Sequence, residues 1–577
     1  MQNIWVQKPK LTTLPTDLGA SPYKMPNIIW RLLNTRDITK EEQVNDLIQP
    51  SLKDLSHPYK IDDLEKSCER FLKALKDDEH VCVYGDFDLD GSSGVALLNQ
   101  GLRDLGFKKI TLYQPKRLTE GYGVHSHAIE SLKEKGVSLV ITVDVGITAN
   151  EAVETANKLG VDVVITDHHL PKKDLPNSYT IVNPNKGTCP SGLGHLCGCG
   201  VGFYFLMGLK ILLEKNNIKH NLNLKSLLDL FTIGTLTDLV PLIGENRSLV
   251  KYGLLELKNT KRPGLKALLK ELTLLKKPAL SSSDVAIRFA PKLNALSRLE
   301  RGLLPLDIFI EDNKERADEL IYEVMENNNL RRSLQEQAMN EALEIGETFT
   351  DENFVLACSE DFHQGVVGLV ATRLSEEFKK CSFIGSIKGE KITGSARIPK
   401  ETNFNLVDAL EHCKDHLEGF GGHAPAAGFH LHMDELEGFM VKLKEFFNKK
   451  ALEVTATDSV TGFYDLEARL EDFTPSYLPW VKKLEPFGVG FEEPVYSLKE
   501  TFLESYKELK GGHLRLVFAS SVTRKTMNAI WFGPSIKPDE ISGYVGKPLN
   551  ALVEAQANYF AGRETLQLMV KKLSFNV

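Results

Sequence analysis

The stretch that most constrains this chain runs from Val81 to Gly94 and reads VCVYGDFDLDGSSG. Val81 to Tyr84 suit a buried strand, and the turn after it carries Asp86, Asp88 and Asp90 on alternate positions ahead of Gly91 and a helical run, Val95 to Leu105. Carboxylates this close repel one another, so they stand together when protonated, unusually solvated or bound to divalent cations. Cations are the favoured reading, because two further acidic patches follow at similar strand ends. A calcium-binding EF-hand would need a bidentate Glu at the twelfth loop position, where counting from Asp86 puts Leu97. An aspartyl-nucleophile phosphatase also shows Asp-x-Asp-Gly after a strand, as Asp88 and Asp90 do, but the later motifs argue against it.

At 577 residues the chain predicts roughly three or four domains. A hydrophobic content of 42% with 26% charged residues is that of a soluble globular protein. The start, MQNIWVQKPKLTTLPTDLGASP, has no apolar core behind a basic end, and no run of about 18 apolar residues follows, which predicts a cytoplasmic enzyme with no membrane association. Eight cysteines over this length make no disulfide framework. Cys189, His195, Cys197 and Cys199 are weighed as a zinc site and set aside, since C-x-C replaces the usual knuckle spacing. The net charge of −8 gives no global sign of a polyanion partner. Metal-binding carboxylates lower that total without repelling phosphate once loaded. Basic residues do gather in IRFAPKLNALSRLER, where Arg288, Lys292, Arg298 and Arg301 face a single acid, Glu300.

From Val81 onward strand and helix patterns alternate, with strands at Lys109 to Tyr113, Ser138 to Val143, Val161 to Thr166 and Tyr179 to Val182. Helical stretches such as His125 to Lys135 and Asn150 to Leu159 separate them, which predicts an α/β unit with a parallel sheet and helices on both faces. Ligands of such sheets bind beyond the carboxyl ends of the strands. Asp144 falls there in ITVDVGIT, and Asp167, His168 and His169 fall there in VVITDHHLP; a further acid, Asp238, follows in GTLTDLVPL, on or near a helix. Carboxylate and imidazole together suit Mn²⁺, whereas Mg²⁺ prefers carboxylates and water.

The motifs GDFDLDG, VDVG, TDHH and GTLTDLVPL, in this order, resemble the DHH phosphoesterase superfamily. With NALSR, FHQGVVGLVA, GSAR, GGHAPAAG and LEPFGVGFEEPV, the chain from about Trp30 to Leu573 resembles the bacterial RecJ single-strand-specific exonucleases. The resemblance implies a cage for two divalent cations, Mn²⁺ or Mg²⁺, built from Asp86, Asp88, Asp90, Asp144, His168 and Asp238, with Asp144, Asp167, His168 and His169 as catalytic residues. Which of Asp86 and His169 binds metal and which supports it stays open. The DNA-binding residues implied are Arg117, facing the substrate at the mouth of the cleft, Arg298, Ser395 and Arg397, which would hold DNA phosphates, and His423, in the signature of an associated second domain. Departures from the family pattern stand at Ser297, at Phe362 to Gly365 and at Ile398.

The domain order expected is a helical lead-in over 1–75, the DHH domain over 76–310, a linker helix over 311–346, a smaller α/β DHH-associated domain over 347–452 and an OB-type β-barrel over 453–577. The barrel's candidate strand contacts are Trp531, Phe532, Tyr559, Arg515 and Lys525. The activity implied is 5′-to-3′ exonuclease cleavage of single-stranded DNA to mononucleotides, in recombination and repair. The resemblance further implies a monomer that works with single-strand-binding protein and a RecQ-type helicase. The alternatives are a DHH phosphodiesterase acting on short oligonucleotides or cyclic dinucleotides, and a non-catalytic replication scaffold.

Overall fold

A computed structural model describes residues 4–8, 22–399, 404–451, 460–534, 536, 538–560 and 563–575. Its first sheet is parallel, with strands in the order Ile110–Tyr113, Val81–Gly85, Leu139–Val143, Asp162–Thr166 and Thr180–Val182. Two of the three inner strands, Val81–Gly85 and Leu139–Val143, are buried throughout, because helices cover both faces. Their carboxyl ends therefore release the chain together at one edge, and Asp86, Asp144 and Asp167 each follow a strand there.

The helix expected from Val95 starts at Leu89 and runs to Asp104. Asp88 caps it, its Oδ1 accepting the Asp90 and Gly91 amides at 2.9 and 3.0 Å. The acidic motif is thus a helix start, with Asp90 in the first turn, and not an extended loop. Nearly every residue of this helix is buried, so no amphipathic stripe announces it.

The second sheet runs Gly419–His423, Ala426–His432, Lys391–Arg397, Cys381–Lys388 and Phe354–Ser359. A helix from Lys314 to Glu347 joins the two units. Ala317, Leu320, Ile321 and Val324 pack in the core of the first sheet's helices, whereas Ala338 and Ala342 pack with Val355, Val370 and Ile384. One rigid helix thus belongs to two cores and sets the span between them.

In the C-terminal unit, Val495–Leu509, His513–Ser520, Thr526–Trp531, Arg563–Phe575 and Pro548–Phe560 pair in turn, and the last pairs back to the first. This is a closed barrel of the OB type. Trp531 is 3% exposed and belongs to its core, which removes it as a stacking platform; Phe532 is exposed and Tyr559 half so. Lys525 donates to the Phe473 carbonyl at 2.9 Å and Arg515 to Asn528 Oδ1 at 3.0 Å.

The lead-in expected over 1–75 is a single unit neither in structure nor in packing. Ile4–Gln7 is a strand, paired in parallel with Val460–Tyr464. The helices Asn27–Thr35 and Glu41–Ile48 bury Ile28, Ile29, Leu32, Leu33 and Val44 in the same core as Leu466, Tyr477 and Tyr496 of the barrel unit, and Arg36 pairs with Asp465 at 3.2 Å. The next helix, Leu64–Lys76, joins the core of the first sheet. The physical reason is area: helices this apolar need a covering surface, and the barrel supplies it.

Candidate metal centre and strand cleft

The edge of the parallel sheet brings the acidic motifs to one point. His168 Nε2 lies 3.2 Å from Asp144 Oδ1 and 3.5 Å from Asp238 Oδ2. Asp86, Asp88 and Asp144 make one cluster of ligand atoms within 4.8 Å of one another, as do Asp90, His168 and Asp238. Asp238 arrives from the C-cap of the helix Leu228–Thr237, which packs beside the helix carrying Asp90. Asp90 itself is buried under the amino end of the helix Gly198–Lys215, accepting from the Gly198 amide at 2.6 Å and the Cys199 amide at 3.1 Å. The approach needs glycine: a Cβ on Gly198 would lie 2.4 Å from Asp144 Cβ, and one on Gly234 would lie 2.5 Å from Asp90 Oδ1.

The weighed zinc set is dispersed by this packing. Cys197 caps the same helix through the Gly200 amide, Cys199 is buried, and His195 lies 3.4 Å from Glu245.

Burial and mutual repulsion raise the acids. Asp86 is pushed to about 7 by burial and Asp88, and Asp238 to about 8 by burial and then Asp90 and Asp88. Asp90 reaches about 6 through burial and Asp88, and Asp144 rises well above the carboxylate range through burial and then Asp90, Asp88 and Asp86. Asp86 Oδ1, Asp144 Oδ1, Asp238 Oδ2 and His168 Nε2 are all buried without a hydrogen-bond partner among the described residues. Oxygen and imidazole ligands, crowded anions and orphaned buried atoms fit divalent cations, which would satisfy all four atoms and offset the repulsion.

Asp167 differs from its neighbours. Its Oδ1 accepts from the amides of His168 (2.7 Å) and His169 (3.1 Å) and from His169 Nδ1 (2.8 Å), and its Oδ2 from the Ile147 amide (2.9 Å). Burial opposes its ionisation, but these donors, His169 first, hold it below the usual carboxylate range. Asp167 in turn raises His169 to about 9 against the effect of burial, while His168, buried and beside His169, falls to about 4. The two adjacent histidines are thereby assigned opposite states: His168 neutral, with a free ring nitrogen, and His169 protonated and 43% exposed.

These shifts predict how the metal-free protein responds to pH. At pH values between the ordinary carboxylate range and about 7 to 8, the folded state holds protons on Asp86 and Asp238 that the unfolded chain has released, so stability falls as pH rises through that window. His169, raised to about 9, acts in the same direction. Calorimetry in chelator should show the melting temperature rising as pH is lowered from about 8 to about 7, with a saturating divalent cation removing most of the slope. A slope unchanged by metal would count against the cage.

Above the cage lies a group of arginines. Arg117 sits with its guanidinium 5.0 Å over the Phe87 ring, and the Leu118 amide donates to Glu300, which ties this loop to the basic helix Ala290–Leu299. Arg298 Nη1 donates to the Gly365 carbonyl at 3.3 Å, and Arg397 Nη1 donates to Ser395 Oγ at 2.7 Å and the Ala396 carbonyl at 2.8 Å. Burial and then Arg117, Arg331 and Arg397 lower Arg298 to about 10; burial and then Arg117 lower Arg397. None of these arginines has a carboxylate partner among the described residues. His423 pairs in register with Ala426, which pairs with Arg397, so it stands on the same sheet face at an exposed end and takes no part in the arginine contacts.

The departures are local. Ser297 is buried in its helix, His363 Nδ1 accepts the Gly365 amide at 3.0 Å, and Ile398 packs on the core of the second sheet. Two participants escape the sequence reading: Gln114, which bonds the Asp86 carbonyl and Ser92 Oγ, and Tyr122, whose hydroxyl stands 3.3 Å from His169 Nδ1. Both lie in QPKRLTEGYG, and the signal available was its place directly after a strand of the sheet.

The descriptions "DHH family, N-terminal domain", "DHHA1 domain" and "RecJ OB domain" match residues 80–235, 351–449 and 464–572, which makes this a DHH-family protein with an added barrel. The single-stranded-DNA-specific exonuclease RecJ of Bacillus subtilis is 30% identical over 98% of this chain and 70% of its own length, and that of Salmonella typhimurium 31% identical over 82% and 84%. The crystal structure of RecJ in complex with Mn²⁺ from Thermus thermophilus superposes with a TM-score of 0.77 at 24% identity, covering 96% of this chain and 76% of that one. The chain belongs to the RecJ family of single-stranded-DNA-specific exonucleases.

Proposed function

We propose that this chain hydrolyses single-stranded DNA from its 5′ end, one nucleotide at a time, with two divalent cations in the cage. The observation that carries the reading is the set of four orphaned ligand atoms, Asp86 Oδ1, Asp144 Oδ1, His168 Nε2 and Asp238 Oδ2, lying beneath arginines that no carboxylate among the described residues neutralises. Asp86, Asp88, Asp90, Asp144, His168 and Asp238 would hold the metals, with Asp86 a ligand and His169 a support. Bound there, the cations would supply Lewis acidity toward the phosphoryl group and lower the pKa of an attacking water. Mn²⁺ and Mg²⁺ both suit the donors; the Thermus relative was solved with Mn²⁺.

The protein's own groups do the rest. Asp167 orients the His169 imidazolium by accepting from Nδ1, which leaves the Nε2 proton to be offered to a phosphate or leaving oxygen. Arg298, Arg397 and Ser395, with Arg117, would grip the terminal phosphate, as the planar guanidinium can do with two parallel hydrogen bonds. The exposed barrel aromatics and the linker helix would hold the strand leading to the cleft. Short-oligonucleotide or cyclic-dinucleotide hydrolysis leaves the barrel without a task, and a scaffold has no use for a complete cage. Work as a cytoplasmic monomer in recombination and repair, with single-strand-binding protein and a RecQ-type helicase, belongs to the same proposal.

The test uses 5′-labelled and 3′-labelled single strands with Mn²⁺, Mg²⁺ or chelator. Early release of labelled mononucleotide from the 5′ end only, abolished by chelator, is expected; early release from the 3′ end overturns the polarity. In the same assay Arg397→Ala should lose at least about tenfold more activity on 5′-phosphorylated than on 5′-hydroxyl strands, one charge-assisted contact being worth roughly 1.5–3 kcal/mol. Equal losses on both would remove Arg397 from the terminal-phosphate pocket.

A further inference from the structure

We infer that Arg331, on the linker helix, binds a phosphate of the strand beyond the terminal one, and that Asn328 and Gln335 hold it ready to do so. The inference rests on the single-strand nuclease reading. Arg331 Nη2 donates to Asn328 Oδ1 at 2.9 Å and its Nη1 to Gln335 Oε1 at 2.6 Å. These amides lie three residues before and four after it, on the same helix face, and are 1% and 6% exposed. Elsewhere in this chain the partly buried Arg70 has Glu79 and Asp162, Arg36 has Asp465 and Arg262 has Asp229, whereas the buried Arg247, which has no acid among the described residues, is closed off by the Leu484 and Pro486 carbonyls and the Phe491 ring. An amide orients a guanidinium as a carboxylate does but leaves its charge uncancelled. Two buried amides in place of two carboxylates therefore describe a cation positioned for an outside anion.

The surroundings extend the argument. The linker helix packs on the helix Ala290–Leu299, which carries Lys292 and Arg298, and on the helix Val367–Phe378, which carries Arg373. Neither Arg331, its neighbour Arg332, Lys292, Arg298 nor Arg373 forms an ion pair among the described residues, in a chain of net charge −8. Their mutual influence is visible: Arg331 is lowered by burial and then by Arg332 and Arg373, and Lys292 by burial and then by Arg332 and Arg331. Such a gathering of like charge is unfavourable in the free protein and is relieved by a polyanion. Arg298, assigned above to the terminal phosphate, feels Arg331 as one of its neighbours, so the cations run on from that pocket along the linker helix. A phosphodiester strand, with one charge per nucleotide, is an anion that can meet several of these cations in turn.

Gln335→Glu tests this, because it cancels the Arg331 charge without removing the side chain. Anisotropy with a labelled 5′-phosphorylated oligothymidylate, in chelator so that no cleavage occurs, should show Gln335→Glu and Arg331→Gln each binding roughly tenfold more weakly than the unaltered chain. Each should also lose about 0.7 from the slope of log affinity against log salt, the share of one single-strand phosphate. Gln335→Glu should melt at or above the unaltered protein, since it gains an ion pair; a merely structural amide predicts that melting behaviour with unchanged binding. Should Gln335→Glu misfold, Arg331→Gln decides by the same two readouts. Binding by folded variants that matches the unaltered chain at every salt concentration overturns the inference and leaves metal-dependent cleavage standing. Failure of the unaltered chain both to bind single strands and to cleave them with metal overturns the underlying reading.

Discussion

Asp144→Asn should fold as the unaltered chain does and lose nuclease activity by more than about a thousandfold, equivalent to roughly 4 kcal/mol of transition-state stabilisation. Asp144 has a left-handed backbone, φ 63°, which Asn adopts as readily as Asp, so the substitution adds no strain. Its Oδ1 has no hydrogen-bond partner to lose among the described residues and lies 3.2 Å from His168 Nε2, and both residues would help to hold a cation. Burial and four neighbouring acids already disfavour its charge, so without metal the amide should raise the melting temperature. The measurements are a thermal melt in chelator and cleavage of single strands in Mn²⁺. A folded variant with activity within about tenfold of the unaltered chain would show that the cage is assigned wrongly.

Asp167→Ala should do the opposite to stability. This buried carboxylate accepts four hydrogen bonds, three of them from the histidine pair that follows it. Removing it leaves those donors without an acceptor and a charged imidazole without its counterion, a loss of about 3–5 kcal/mol. For a domain of this size that lowers the melting temperature by roughly 10 °C. Activity should fall as well, because His169 loses both its orientation and the neighbour that keeps it protonated near pH 7. A melting temperature equal to that of the unaltered protein would mean that the four bonds are not what holds this turn. The two aspartates stand at successive strand ends in motifs of the same kind, yet one substitution relieves repulsion and the other removes support.

That contrast marks where local pattern stops being informative. Acids after apolar runs are legible because a buried parallel strand must release its chain at the sheet edge, and the adjacent motifs VDVG and TDHH do so in register, Val143 opposite Thr166. Which acid keeps a bare oxygen and which is wrapped in amides depends on where Ile147 and the Gly198 helix end up, and neither is near in sequence to the acid it serves. The helix from Leu89 reads as starting only at Val95 because it is buried all round, so its Gly and Ser positions look like loop. In the linker helix Asn328 and Gln335 are buried against the guanidinium of Arg331, which the amide-rich run ENNNLRRSLQEQ does not announce.

The sequence by itself determined the parallel α/β unit, the acids at its strand ends, the long joining helix and the barrel strands, because each follows from a periodicity or a turn within some ten residues. Tertiary structure decided the opposite protonation of His168 and His169, the division of labour between Asp144 and Asp167, the pairing of the first strand and the core to which the helices before Pro50 belong. Each of these depends on burial and on partners far away along the chain, as Ile4–Gln7 is from Val460–Tyr464. Local sequence specifies backbone preference; the charge a buried group carries, and the surface that covers an apolar helix, are set by whatever the fold packs against them.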